Sequence, residues 1–77
     1  MGKSYIQNNI RRYRFDSDEM TQQQLADSVG ASRQTIVAIE KGNYSPSLEL
    51  AFRIARVFNA SLDEVFFYVP DADVSKK

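Results

Sequence analysis

Arginine and glutamine are the side chains best shaped to read a base edge: arginine donates two hydrogen bonds to guanine O6 and N7, and glutamine pairs with adenine N6 and N7. Here they are adjacent, as Arg33-Gln34, within the run Ala31-Ser32-Arg33-Gln34-Thr35-Ile36-Val37-Ala38-Ile39-Glu40-Lys41-Gly42. Ile36 and Ile39, three residues apart, define the inward face of a helix and leave Arg33, Gln34, Val37 and Ala38 off that face. Val37 and Ala38 suit contact with thymine methyls, although Val37 serves a core equally well. Ser32 is a good N-cap, so its hydroxyl is divided between capping and, with Thr35, bonding a phosphate or a base edge. The alternative for the whole surface is a merely solvated helix face.

Two elements must position these residues. Thr21, with Gln24 three residues on, fits a capping box and starts a helix, Leu25 and Val29 share its inner face, and Gly30 supplies the left-handed turn that stops it. A helix, a glycine turn and a second helix make the two-helix DNA-reading unit. Apolar spacing predicts three further helices, so that the set runs over about 8–15, 21–29, 32–41, 47–58 and 61–67. Ile6, Ile10 and Tyr13 mark the first. Ser47 caps the fourth, whose broad band of Leu48, Leu50, Ala51, Ile54, Ala55, Val57 and Phe58 makes it central. Ser61-Leu62-Asp63-Glu64 is a second capping box. Residues 1–69 form one domain, and the polar, aperiodic stretch 70–77 is expected to be a mobile tail.

Composition excludes several function classes. The 77 residues contain no cysteine and no histidine, which removes disulfides, thiolate chemistry, the usual zinc ligands and the usual general base. No enzyme, metal or cofactor is expected, and no effector pocket is evident. An enzyme built on acidic residues, for example Asp16, Asp18 and Glu19 binding a divalent metal, is a further alternative, but carboxylates in such a loop are far more often solvated. No stretch is apolar enough for a signal peptide or a membrane span, so the protein is expected in the cytoplasm. Ten basic residues balance ten acidic ones. Residues 1–60 carry eight Lys or Arg against six Asp or Glu, whereas residues 61–77 carry two against four. Arg11, Arg12, Arg33 and Lys41 therefore form a local basic surface on a neutral chain, and specificity has to rest on base contacts rather than on bulk charge.

From about Ile10 to Phe67 the chain resembles the Xre-type, phage-repressor-like helix-turn-helix regulators. The motifs that carry the resemblance are Thr21-Gln22 with Leu25-Ala26, Ser32-Arg33-Gln34-Thr35-Ile36, Ile39-Glu40-Lys41-Gly42, and Pro46-Ser47-Leu48 leading to Ile54-Ala55. One departure is the acidic connection from Phe15 to Met20, which is slightly longer than usual. The resemblance implies an all-α, compact five-helix repressor-like DNA-binding domain. It implies that Gln22 touches a phosphate and braces the recognition helix, and that Lys41, Asn43 and Tyr44 hold the DNA backbone through side chains and main-chain amides. It also implies a structural pair between Arg14 and Glu40, and in some small members a short terminal β element, here Ser4-Tyr5-Ile6 against Phe67-Tyr68-Val69.

One recognition helix covers only a few base pairs, so this class binds double-stranded DNA as two-fold homodimers on half-sites about 34 to 36 Å apart. Leu62, Phe66, Phe67, Tyr68 and Val69 are the expected dimer interface, because so short a domain cannot easily bury them alone; core packing is the equal alternative for Phe66. The resulting expectation is a sequence-specific, homodimeric transcriptional regulator acting as a repressor. The alternative is a protein-interaction module, such as an autoregulating antitoxin whose tail folds on a partner.

Overall fold

The computed structural model describes residues 5–69. Strand β1 (Ile6–Asn8) leads into helices α1 (Ile10–Asp16), α2 (Gln22–Val29), α3 (Arg33–Glu40), α4 (Leu48–Val57) and α5 (Leu62–Val65), and strand β2 (Phe66–Tyr68) follows. The architecture is five helices with a two-stranded antiparallel sheet that joins the two ends of the described chain.

The helix starts follow local side-chain chemistry. Thr21 Oγ1 accepts from the Gln24 amide at 3.0 Å while Gln24 Oε1 accepts from the Thr21 amide at 2.8 Å, completing a capping box. Ser32 and Ser47 cap α3 and α4 by accepting from the amides of Thr35 and Leu50, and Glu64 Oε1 accepts from the Ser61 amide at the start of α5. Gly30, at φ +75°, ends α2 in the left-handed conformation, which glycine adopts without a Cβ clash. Its neighbour Val29 gives its carbonyl to Arg53 Nη1 at 3.3 Å, tying the far end of α2 to α4.

At two places the elements differ from the pattern in the sequence. The first helix begins at Ile10 rather than near residue 8, because Asn8 belongs to β1 and its Oδ1 accepts from the Ile10 amide at 3.2 Å. The fifth helix stops at Val65 rather than 67, since Phe66 is extended (φ −119°, ψ 143°) and starts β2. Burial spacing alone cannot separate one more helical turn from a three-residue strand. The pairing with β1 decides it. The terminal β element is present with its strands shifted from the expected segments to Ile6–Asn8 and Phe66–Tyr68: Ile6, Gln7 and Asn8 oppose Tyr68, Phe67 and Phe66, with Val69 N–H donating to the Tyr5 carbonyl at 2.8 Å beyond the ladder. Ser4 and the stretch 70–77 lie outside the described residues.

The core draws on every helix, with Ile10, Leu25, Ile36, Ile39, Ile54 and Val65 fully buried. Phe66 joins it at 7% exposure, so most of this side chain is spent on the core, while its remaining edge lines the groove beside Phe67 and Tyr68. Tyr13 stacks on Phe58 at 5.4 Å between ring centroids, closing the core between α1 and the end of α4.

Candidate nucleic-acid interface

Because Ile36 and Ile39 are buried and anchor α3 in the core, the helix must turn its opposite side outward. Arg33 and Gln34 are exposed there, and Val37, Ala38 and Thr35 are half-buried around them. Packing of α3 against α2 brings Gln22, Arg33, Val37 and Lys41 to one open concavity of about 640 Å³. Gln34, Ala38, Asn43 and Tyr44 do not line it. Ser32 is committed to its cap: its Oγ accepts from the Thr35 amide at 3.0 Å and lies 2.8 Å from Thr35 Oγ1.

The inner wall of the concavity is a polar brace. Arg14 Nε donates to Glu40 Oε2 at 2.7 Å and Nη2 to Glu40 Oε1 at 3.0 Å, a bidentate fork that crosses from α1 to α3. Arg14 Nη1 also donates to the Met20 carbonyl at 2.8 Å, which fixes the connection into α2. Gln22 Nε2 donates to Glu40 Oε1 at 3.2 Å. A half-buried glutamine at the first turn of α2 is thereby held by the last residue of α3, at a helix end where free amides favour an anion.

Thr21 and Gln23 are among the lining residues to which the sequence assigns no contact, and Arg11, which the charge pattern puts on the basic surface, lines the concavity with them. Two signals point to them. Arg11 lies three residues before Arg14 and so on the same side of α1, while Thr21 and Gln23 flank Gln22 at the helix start. With Arg14 neutralised by Glu40, the cations left for an incoming anion are Arg11, Arg33 and Lys41.

The loop after α3 departs from one expectation. The amides of Lys41, Gly42 and Asn43 donate to the carbonyls of Val37, Ile39 and Ala38 at 3.0 to 3.1 Å. Those three main-chain groups are spent on ending the helix, while the side chains of Lys41, Asn43 and Tyr44 are exposed. Behind the loop, Asn8 Nδ2 donates to the Ile39 carbonyl at 2.8 Å, latching β1 to the end of α3.

A model of the helix-turn-helix family matches residues 10–65, which takes in the whole α1 to α5 framework. The chain belongs to the Xre-type helix-turn-helix family of transcriptional regulators. It is 47% identical over 66 residues to an uncharacterised helix-turn-helix-type transcriptional regulator of Methanocaldococcus jannaschii, covering 86% of this chain and 98% of that one. It is also 32% identical over 56 residues to the cryptic-phage CTXphi transcriptional repressor of Vibrio cholerae, covering 73% of this chain and 50% of the repressor. The crystal structure of a candidate DNA-binding protein from Bacteroides fragilis shares the fold at a TM-score of 0.69 and 22% identity, over 80% of this chain and 98% of that one.

Away from the concavity, the Xre-type domain carries a second exposed surface, and it is apolar. Phe67, Tyr68 and Val69 are 41%, 62% and 42% exposed. With half-buried Leu62, Phe67 and Tyr68 line a groove of about 540 Å³. Leu48, which the periodicity places in the apolar band of α4, sits in this groove at 67% exposure. Among the described residues no helix is long and apolar enough to cross a membrane, and no group of three or more carboxylates is placed to hold a metal.

Proposed function

We infer that this chain is a sequence-specific repressor that binds a two-fold symmetric operator as a homodimer, without catalysis, in the compartment that holds the chromosome. The observation that carries the reading is the placement of exposed Arg33 and Gln34 on α3, beside a Gln22 that Glu40 holds in place. Arg33 and Gln34 read bases. Val37 and Ala38 flank them for thymine methyls, and Gln22, Thr35, Lys41, Asn43 and Tyr44 set the register on phosphates. Ser32 contributes by capping α3.

Repression by occupancy is supported by the Vibrio cholerae relative, which is named a repressor. The second copy is supported by the exposed Phe67, Tyr68 and Val69, with Leu62 beneath them. Contiguous apolar side chains of that size mark an association surface.

The test is selection of bound duplexes from a randomised pool, with the wild type beside an Arg33→Ala, Gln34→Ala double variant. The expected result is a two-fold symmetric site for the wild type and loss of its inner bases in the variant. If neither protein enriches any sequence, the base-reading assignment is wrong.

A further inference from the structure

The concavity that gathers Arg11, Arg33 and Lys41 also contains an opposing charge. Glu19 lines it from the α1–α2 connection. Its carboxylate is exposed and forms no ion pair among the described residues, where the salt bridges are Arg14–Glu40 and Arg53–Glu49. Among the described residues, no cation pairs with it.

The backbone that puts Glu19 there is unusual. Asp18 and Glu19 both have positive φ, 63° and 56°, a conformation disfavoured for any residue with a Cβ. The turn is held by the Glu19 amide donating to the Phe15 carbonyl at 3.1 Å and the Met20 amide donating to the Arg14 carbonyl at 2.9 Å. Arg14 grips the Met20 carbonyl in turn. Glu19 is therefore carried on a tethered segment and not on a free loop, two residues before the cap of α2 and on the wall of the concavity.

We propose that Glu19 restrains sequence-independent DNA binding, by setting a negative charge among the phosphate-attracting groups of the concavity. This rests on the DNA-binding reading above. Sequence-independent affinity comes almost entirely from phosphate neutralisation, and one carboxylate among three free cations subtracts directly from it. A chain with no net charge then stays off random DNA and relies on base contacts for residence.

The experiment is fluorescence anisotropy with a random-sequence duplex at about 50 and 200 mM salt, comparing wild type, Glu19→Gln and Glu49→Gln. Glu49→Gln removes the same charge at a distance, since Glu49 pairs with Arg53, which reaches Val29 at the opposite end of α2. Glu19→Gln is expected to tighten binding about two- to fivefold at low salt, an effect that shrinks at high salt, whereas Glu49→Gln changes it less than about 1.5-fold. Glu19→Asn serves as a second variant, because asparagine tolerates the left-handed backbone better and carries the same charge change. Equal tightening by Glu19→Gln and Glu49→Gln would show that net charge alone is at work and would overturn the proposal. So would no tightening by either Glu19 variant in a protein that binds DNA. A wild type that binds no duplex at all would instead remove the DNA-binding reading, and this proposal with it.

Discussion

Replacing Glu40 by alanine is the perturbation whose size the structure fixes best. The Arg14 and Glu40 side chains are 15% and 9% exposed, and Glu40 accepts both guanidinium bonds from Arg14 as well as the amide of Gln22. In Glu40→Ala, Arg14 keeps only its bond to the Met20 carbonyl, which leaves a largely buried cation without a counter-charge. Breaking a fully buried pair in this way costs about 3 to 5 kcal/mol. The residual exposure and the adjoining open concavity let water reach the guanidinium, so the cost here falls to about 2 to 3 kcal/mol. For a domain of this size that lowers the melting temperature by about 10 to 20 °C. Thermal unfolding followed by circular dichroism reads it directly. The double variant Arg14→Leu, Glu40→Leu is the counterpart, because removing both charges in favour of apolar groups is often neutral for stability. It should recover most of the lost melting temperature while still binding DNA weakly, since Gln22 loses its anchor. A Glu40→Ala midpoint within about 2 °C of wild type would refute the reasoning and reduce the pair to a surface contact.

Two further predictions test the ends of the chain. Asn8→Ala removes the bond to the Ile39 carbonyl and the acceptor for the Ile10 amide, and should lower stability by about 1 to 2 kcal/mol in urea unfolding; an unchanged midpoint would mean that the ribbon does not hold α3. Phe67→Asp puts a charge at the centre of the exposed apolar surface and should give monomers with weaker DNA binding and unchanged helical signal. A sedimentation profile identical to wild type would rule out that face as the dimer contact.

How much of this is legible in the sequence depends on the range of the interaction involved. A cap is a contact between residues three apart, so Thr21 and Ser32 announce the starts of α2 and α3 without any knowledge of the rest of the chain. Gly30 announces a stop for the same reason. The inward face of α3 follows from Ile36 and Ile39, and with it the outward placement of Arg33 and Gln34. The family resemblance adds the Arg14–Glu40 pair, which no local pattern contains.

What spacing misses is long-range. Phe66 reads equally well as the last turn of α5 or as an exposed interface residue. Only pairing with Asn8, 58 residues earlier in the chain, makes it a strand residue whose ring enters the core. Leu48 looks like core because its neighbours on α4 are, yet the position of the terminal ribbon leaves it on an open groove. The placement of Glu19 among the cations of α1 and α3 has no sequence signature either, since it depends on two left-handed residues that are held by bonds to α1. By itself, the sequence determined the helices of the reading unit and the side of α3 that faces outward, because those rest on contacts within one or two helical turns. The tertiary structure decided the strand ends, the bond from Gln22 to Glu40 and the charge balance of the concavity, because each requires segments far apart in the chain to be packed before the contact exists.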